Sequence, residues 1–163
     1  MENKIDLIIN AMKEYFGKDQ KRINHALDVL KYSNIISEKE NCNKEIVYIA
    51  SILHDIGIHM AEKKYNSTGG QYQEIEGPPI AKDILKTLGY PEDTINEVCE
   101  IIAHHHTPGK INTDNFQILY ESDWLVNLGD DLKDLSKEKK KSLVDKNFKT
   151  KTGIVLAEEL YLK

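Results

Sequence analysis

Residues 44–59 decide the fold, and their sequence is KEIVYIASILHDIGIH. Apolar side chains fill most positions from Ile46 to Leu53, so a helix here is apolar around most of its circumference and belongs in the middle of a protein. The polar pair His54-Asp55 follows directly. A carboxylate in such apolar surroundings is unfavourable unless something positive meets it. The sequence therefore predicts a functional group at the end of a buried helix, with an arginine, backbone amides or a metal ion as its partner.

The composition narrows the class of protein. A chain of 163 residues suits one domain with a substantial core. Acidic residues outnumber basic residues by 27 to 22, which argues against a nucleic-acid polymer as partner. No stretch reaches the apolar length of a membrane span, and Cys42 and Cys99 lack metal-ligand spacing. We expect a cytoplasmic protein with reduced cysteines and no membrane partner, and the oligomeric state stays open.

Helical periodicity runs through nearly the whole chain, without strand alternation or repeats. The predicted helices cover 3–16, about 22–38, 44–56, 78–88, about 94–108 and about 116–128, with one or two surface helices in 131–163. Gly17, Gly57 and Gly129 are expected to end three of them. The stretch 65–73, YNSTGGQYQ, is interpreted as a mobile loop that covers the site, and Pro78 as a first helical turn. The predicted fold class is all-α.

Several side chains in this pattern suit a metal site. His25 lies on an apolar helix face, His54 ends the central helix, and 104–106 are three histidines after apolar turns. Asp123 is a second carboxylate on an apolar face. Arg22 is the only arginine, so a guanidinium cannot serve both aspartates. Mixed imidazole and carboxylate ligands favour Mn, Fe, Co, Ni or Zn over Ca or Mg.

Each residue taken alone has a plainer interpretation. A single histidine on a helix is more often a hydrogen-bonded core or surface residue than a ligand. The three histidines at 104–106 fan out, so at most two of them can serve one centre. Asp123 could cap a helix or pair with the arginine. The metal interpretation therefore depends on the whole set.

The candidate residues follow one order along successive helices: His25, His54-Asp55, His104/His105, Asp123. This order resembles the HD-domain superfamily of metal-dependent phosphohydrolases. Three stretches carry the resemblance: RINHALDVLKYS, IASILHDIG and ESDWLVNL. The resemblance implies a single globular helical HD-domain bundle over 1–163, with a motif-bearing core at about 22–128 and C-terminal helices over 131–163.

The resemblance also implies a ligand set. The first metal ion would be bound by His25, His54, Asp55 and Asp123. In members with two metals, a histidine pair helps to hold the second ion; His104 and His105 fit that place, with His106 as the alternative. The implied cofactors are one or two divalent ions of Fe, Mn, Co, Ni or Zn.

Two departures from the family pattern matter. Two-metal members often carry a further histidine where this chain has Gln73; the adjacent Glu74 is either a substitute ligand or a solvated carboxylate in the first turn of a helix. Many members place a phosphate-binding lysine after the His-Asp motif, where this chain has Ile58. The nearest cations in sequence are Lys63, Lys64 and Lys110, each of which is alternatively a solvated surface lysine.

The expected function is hydrolysis of a nucleotide or another small phosphorylated metabolite by a metal-activated water. Asp55 and Asp123 are the expected catalytic residues, and the proton would be handled by Asp123 or by a histidine of 104–106. One alternative is an HD-fold di-iron oxygenase, which shares the ligand set. The other is a non-catalytic sensor that binds a nucleotide. Iron content with oxygen consumption tests the first, and any metal-dependent turnover excludes the second.

Overall fold

The structure is a computed structural model that describes residues 2–163, and it confirms an all-α bundle without strands in that range. The helices in chain order are α1 Glu2–Phe16, α2 Gln20–Lys39, α3 Lys44–Leu53, α4 Ile58–Tyr65, α5 Gly70–Thr87, α6 Glu92–His104, α7 Asp114–Gly129, α8 Lys137–Asn147 and α9 Lys151–Tyr161. None of the helices in the described range is long and apolar enough to cross a membrane.

Helix α3 is the centre of the bundle. Every residue from Ile46 to Leu53 is buried, and α3 packs against α1, α2, α6 and α7. One connected apolar core extends from Ile5 on α1 to Ala157 on α9. A helix with neighbours on all sides needs apolar side chains all round, which explains its sequence. The segment after α3 consequently begins deep inside the molecule.

Side-chain caps set where several helices begin. Such a cap accepts a hydrogen bond from an otherwise unpaired backbone N–H of the first turn. The capping residues are Asp19 for α2, Asn43 for α3, Thr113 for α7, Ser136 for α8 and Thr150 for α9. Asp19 and Thr113 set the first residues of α2 and α7 at Gln20 and Asp114. Both helices therefore begin two residues before their predicted starts.

The region after α3 differs from the prediction. Helix α3 ends at Leu53 instead of 56, and α4 follows where no helix was predicted. Gly57 has a φ of −82°, so it is not a left-handed helix stop. A Cβ at Gly57 would overlap the backbone of Gly77, so its glycine allows a close approach between two segments. In contrast, Gly17 ends α1 as predicted, with a φ of +62°.

The predicted loop over 65–73 is much shorter than expected. Helix α4 runs to Tyr65 and α5 begins at Gly70, which leaves only 66–69 between them. Pro78 therefore lies inside α5 and not in its first turn. A proline inside a helix removes a backbone donor. Close packing offsets this loss, because α5 packs along both α4 and α6.

Helix α6 ends earlier than predicted, at His104 instead of about 108. The second and third of the consecutive histidines consequently lie in the turn beyond the helix. The tail of the chain forms two helices, α8 and α9, in agreement with the prediction of one or two.

Candidate metal centre

Four segments bring five side chains to one place. His25 comes from α2, the pair His54-Asp55 follows α3, His105 follows α6, and Asp123 comes from α7. Helix α3 packs against α2, α6 and α7, so the segments that bear these residues are neighbours in the bundle. Four of the five side chains line a cavity of about 850 Å³, while His54 is fully buried behind them.

The shortest contacts join two imidazoles to two carboxylates. His25 Nε2 lies 2.9 Å from Asp123 Oδ1 and 3.2 Å from His54 Nε2. His54 Nε2 lies 3.3 Å from Asp123 Oδ1. Asp55 Oδ2 lies 3.3 Å from His25 Nε2 and 3.4 Å from His54 Nε2. These four side chains therefore direct their polar atoms at a single point.

Backbone carbonyls determine which ring nitrogen carries the proton in two of the histidines. The Nδ1–H of His54 donates to the Ser51 carbonyl at 2.8 Å, and the Nδ1–H of His105 donates to the Ile102 carbonyl at 2.6 Å. Because a carbonyl only accepts, each neutral ring has a bare Nε2. The Nε2 of His105 is buried, has no hydrogen-bond partner in the described chain, and lies 3.3 Å from Asp55 Oδ1. A bare nitrogen facing a carboxylate oxygen requires a cation or a proton between them.

The pKa shifts of His54 and Asp123 also indicate that the cluster favours an added positive charge. Burial alone lowers the pKa of His54, but Asp55 and Asp123 outweigh it and raise that pKa to about 9. Burial alone raises the pKa of Asp123, but His54 and His25 hold it well below its ordinary range. Without another cation, the cluster recruits protons. A divalent transition metal fits this donor set of imidazole nitrogens and carboxylate oxygens.

Two groups of ligand atoms share Asp55. The first comprises His25, His54 and Asp55, and the second comprises Asp55, His105 and His106, with the ligand atoms of each group within 4.8 Å of one another. Asp55 presents Oδ2 to the first group and Oδ1 to His105 in the second. Each group could therefore hold one ion, and Asp55 would contribute to both.

Two predicted ligands lie away from the cavity. His104 hydrogen-bonds the Glu100 carbonyl through Nδ1 at 2.9 Å and does not line the cavity. It is the last residue of α6, and its two successors turn towards the centre instead, so His106 replaces His104 in the candidate set. Glu74 accepts hydrogen bonds from the His106 backbone at 3.0 Å and from the Thr107 hydroxyl at 2.9 Å, so it braces the turn after α6.

The predicted phosphate-binding lysines also lie elsewhere. Lys63, Lys64 and Lys110 do not line the cavity, and Lys64 pairs with Glu76 at 2.9 Å. The cationic side chains on the cavity wall are Lys21 and Arg22 in the first turn of α2. The sequence contained a signal for them, because they precede the candidate ligand His25 by one helical turn and share its face.

Trp124 is a further wall residue that the sequence analysis missed. It directly follows Asp123, and its half-buried ring lines the cavity. The ring packs edge to face against Tyr120 at a centroid distance of 6.5 Å. Its neighbour in the motif ESDWLVNL was already a candidate ligand, so proximity along α7 was the available signal.

The chain is similar to known proteins in both sequence and structure. Residues 22–143 match the family model of the HD domain. An uncharacterized protein of Clostridium beijerinckii is 34% identical over 120 residues, which cover 69% of this chain and 71% of that protein. The crystal structure of a predicted HD superfamily hydrolase from an uncultured Thermotogales bacterium resembles this chain with a TM-score of 0.71 and 25% identity. That similarity covers 94% of this chain and 83% of the other.

Proposed function

This chain belongs to the HD domain family, and we propose that it hydrolyses small phosphate esters with a divalent transition metal held by His25, His54, Asp55 and Asp123. One observation supports this proposal above the others. Two carboxylates and the bare Nε2 atoms of buried histidines meet in one cluster, and no lysine or arginine within residues 2–163 forms an ion pair with these carboxylates. The similarity to a predicted HD superfamily hydrolase supports the reaction class.

Each residue has a role that follows from its chemistry. A bound divalent ion supplies a water of lowered pKa and offsets the charge that develops on the phosphate. Asp55 and Asp123 would provide the negative charge that retains a dication, while His25 and His54 would bind as neutral imidazoles. Asp55 also reaches the second group, where His105 and His106 hold a further ion in the same proposal.

The cavity wall supplies the groups that hold the phosphate. Arg22 and Lys21 lie one helical turn from His25, on the side of the cavity where α2 begins. A guanidinium matches a phosphate with two parallel hydrogen bonds, and an ammonium adds a point charge. Arg22 also contacts Glu62 at 3.4 Å, which restrains its side chain. We assign substrate orientation to these two residues in place of the three lysines expected from the sequence.

A screen of phosphomonoesters tests the proposal. Protein reconstituted separately with Mn, Fe, Co, Ni and Zn is incubated with the esters, and released phosphate is measured. We expect metal-dependent release, its loss in Asp55→Asn, and its retention in Asp83→Asn, an exposed aspartate on α5. Absence of phosphate release with every metal would contradict the proposal. Oxygen consumption by the iron-loaded protein would assign it to the oxygenases instead.

A further inference from the structure

Three imidazoles near Asp55 are held in two different ways. Nδ1 of His54 and Nδ1 of His105 donate to backbone carbonyls of the helix that precedes each residue. His106 instead contacts a side chain of another helix, because its Nε2 lies 3.1 Å from Oε1 of Gln73 on α5. The orientation of the His106 ring therefore depends on α5, whereas the other two rings depend on their own helices.

The orientation of the Gln73 amide follows from its second partner. Its Nε2 lies 2.6 Å from the carbonyl oxygen of Thr68. Because a carbonyl only accepts, the NH₂ of the amide faces Thr68 and Oε1 faces His106. An amide oxygen also only accepts, so the proton at this contact belongs to Nε2 of His106. In its neutral form the His106 ring has a bare Nδ1, the reverse of His54 and His105.

The first turns of α5 hold the same ring in two further ways. A Cβ at Gly70 would lie 2.6 Å from Cγ and 2.8 Å from Cβ of His106, so the helix backbone packs directly against this side chain. Glu74 accepts hydrogen bonds from the His106 backbone N–H at 3.0 Å and from the Thr107 hydroxyl at 2.9 Å. Gly70, Gln73 and Glu74 thus form a clamp on the turn after α6, the α5 clamp.

Gln73 occupies the place of an outer partner of a metal ligand. Its side chain is buried and lines the cavity together with His105 and His106. A histidine that binds a metal usually donates its other ring N–H to an acceptor, which fixes the tautomer and the orientation of the ring. Oxygen Oε1 of Gln73 is such an acceptor for His106.

We propose that Gln73 is a positioning residue that selects the tautomer of His106, so that Nδ1 and not Nε2 is the ligand atom for an ion in the second group. This inference rests on the proposed function, which supplies the ions. Because the acceptor for His106 belongs to α5, changes in the α5 clamp should weaken the second ion. The first ion should be spared, since neither His25 nor His54 contacts the clamp through its ring nitrogens.

Metal titration of matched variants is the first test. Gln73→Leu removes both hydrogen bonds of the amide, whereas Gln71→Leu makes the same change at an exposed position of α5. Calorimetric titration with Zn should resolve two binding events in the wild type. We expect Gln73→Leu to weaken the second event by about 10–100-fold and to leave the first unchanged. Gln71→Leu should leave both unchanged. A single event in the wild type, or an unchanged second event in Gln73→Leu, would overturn the inference.

A steric variant tests the α5 clamp without removing a hydrogen bond. Gly70→Ala places a methyl group against the His106 ring. Alanine is favoured over glycine in a helix, so the helix itself should not be destabilised. We expect the second event to weaken by about tenfold or more. Gly69→Ala is the control, because its Cβ would meet the flexible side chains of Gln71 and Ser67. Equal second-ion affinities in the two alanine variants would contradict the clamp.

Nitrogen NMR detects the tautomer directly, in a way that a merely structural role of Gln73 would not change. The metal-free protein is measured at a pH at which the ring is neutral, and His106→Gln identifies the resonances of this ring. We expect the proton on Nε2 in the wild type and a mixture of tautomers in Gln73→Leu. In the Zn-loaded wild type we expect the metal at Nδ1. A proton on Nδ1 in the metal-free wild type, or metal at Nε2, would overturn the inference.

Phosphate release separates the inference from the proposed function. Release from phosphomonoesters by the wild type, with an unchanged second binding event in Gln73→Leu, would contradict the role of Gln73 alone. A weakened second event in Gln73→Leu, without release from any ester by the wild type, would support that role and contradict the hydrolase proposal alone.

Discussion

Two carboxylates on α7 are both buried, and their surroundings are opposite. Glu121 and Asp123 stand two residues apart. Glu121 Oε2 accepts hydrogen bonds from the backbone amides of Lys149 and Thr150, at 2.8 and 3.0 Å, and Oε1 accepts from the Thr150 hydroxyl at 2.6 Å. These donors directly precede the first turn of α9, whose N-cap is Thr150, and the dipole at this end of the helix also favours an anion. The protein itself satisfies the charge of Glu121.

Asp123 meets imidazole nitrogens instead of amides. His25 and His54 approach its Oδ1, and Asp55 adds a second negative charge to the same cluster. The protein leaves this charge to be balanced by protons or by a metal ion. Burial of a carboxylate is thus not a sign of function by itself. The chemistry of the groups that face it distinguishes a structural carboxylate from a ligand.

The largest expected effect comes from removing the charge of Asp123. Asp123→Asn keeps the shape of the side chain but removes a negative charge that would hold a dication in the proposed site. We expect metal affinity to fall by more than about 100-fold, beyond the usual effect of residues that only support a ligand. Phosphate release should fall to background. Calorimetric metal titration and a phosphate assay measure both effects, with Asp83→Asn as the control. A variant with normal affinity would remove the distinction between the two carboxylates.

Removing the charge of Glu121 should give the opposite result. In Glu121→Gln an amide NH₂ can face the amides of Lys149 and Thr150, and the charge at the start of α9 is lost. We expect the free energy of unfolding to fall by about 2–3 kcal/mol, with metal affinity unchanged. Urea unfolding of the metal-free proteins checks this, and Glu159→Gln, exposed on α9, should change little. Loss of metal binding in Glu121→Gln would show that this residue is not purely structural.

The metal-free protein should lose stability as the pH rises. The pKa of His54 is raised from its ordinary value of 6.5 to about 9, so the stabilisation by its proton is complete below pH 6.5 and is lost as the pH rises through 9. We expect a lower Tm at pH 9 than at pH 6.5 in the presence of a chelator. Bound metal should abolish this difference because it replaces the proton. An equal Tm at the two pH values would contradict a protonated cluster, and His54→Gln should show no such dependence.

The smallest expected effect on activity comes from removing a cationic side chain. Here too a residue at the site contrasts with one that only pairs with another side chain of the protein. Arg22 lines the cavity, whereas Lys64 lies outside it and pairs with Glu76. Arg22→Ala should raise KM about tenfold through loss of a charged hydrogen bond to phosphate, with little change in kcat. Lys64→Ala should change KM less than twofold or so, since exposed ion pairs contribute about 0–1 kcal/mol. Steady-state kinetics measure both effects, and a larger effect of Lys64→Ala would assign phosphate binding to the lysines of α4.

The sequence allowed better predictions for the buried segment that contains Asp55 than for contacts between distant parts of the chain. Asp55 was recognisable because its neighbours are apolar and the chain has a single arginine. Glu121 was not, because its partner amides lie 28 and 29 residues further along the chain. Local pattern cannot predict contacts formed only by tertiary packing.

Two helices show how glycine and proline misled the prediction. Gly57 suggested a helix end, but its role is close contact with Gly77, so the start of α4 was missed. Pro78 suggested a helix start, but packing along α4 and α6 maintains α5 on both sides of it. In both places the tertiary environment outweighs the local preference of the residue. The same packing directs His106 and not His104 to the cavity, a choice that spacing alone could not make.

Metal content tests the central claim most directly. Wild type, Glu121→Gln and Asp55→Asn are reconstituted in parallel with the same metal, freed of excess by gel filtration and examined by elemental analysis. The account predicts at least one ion per chain in wild type and in Glu121→Gln, and well under one in Asp55→Asn. Full metal content in Asp55→Asn, or an empty wild type, would contradict it.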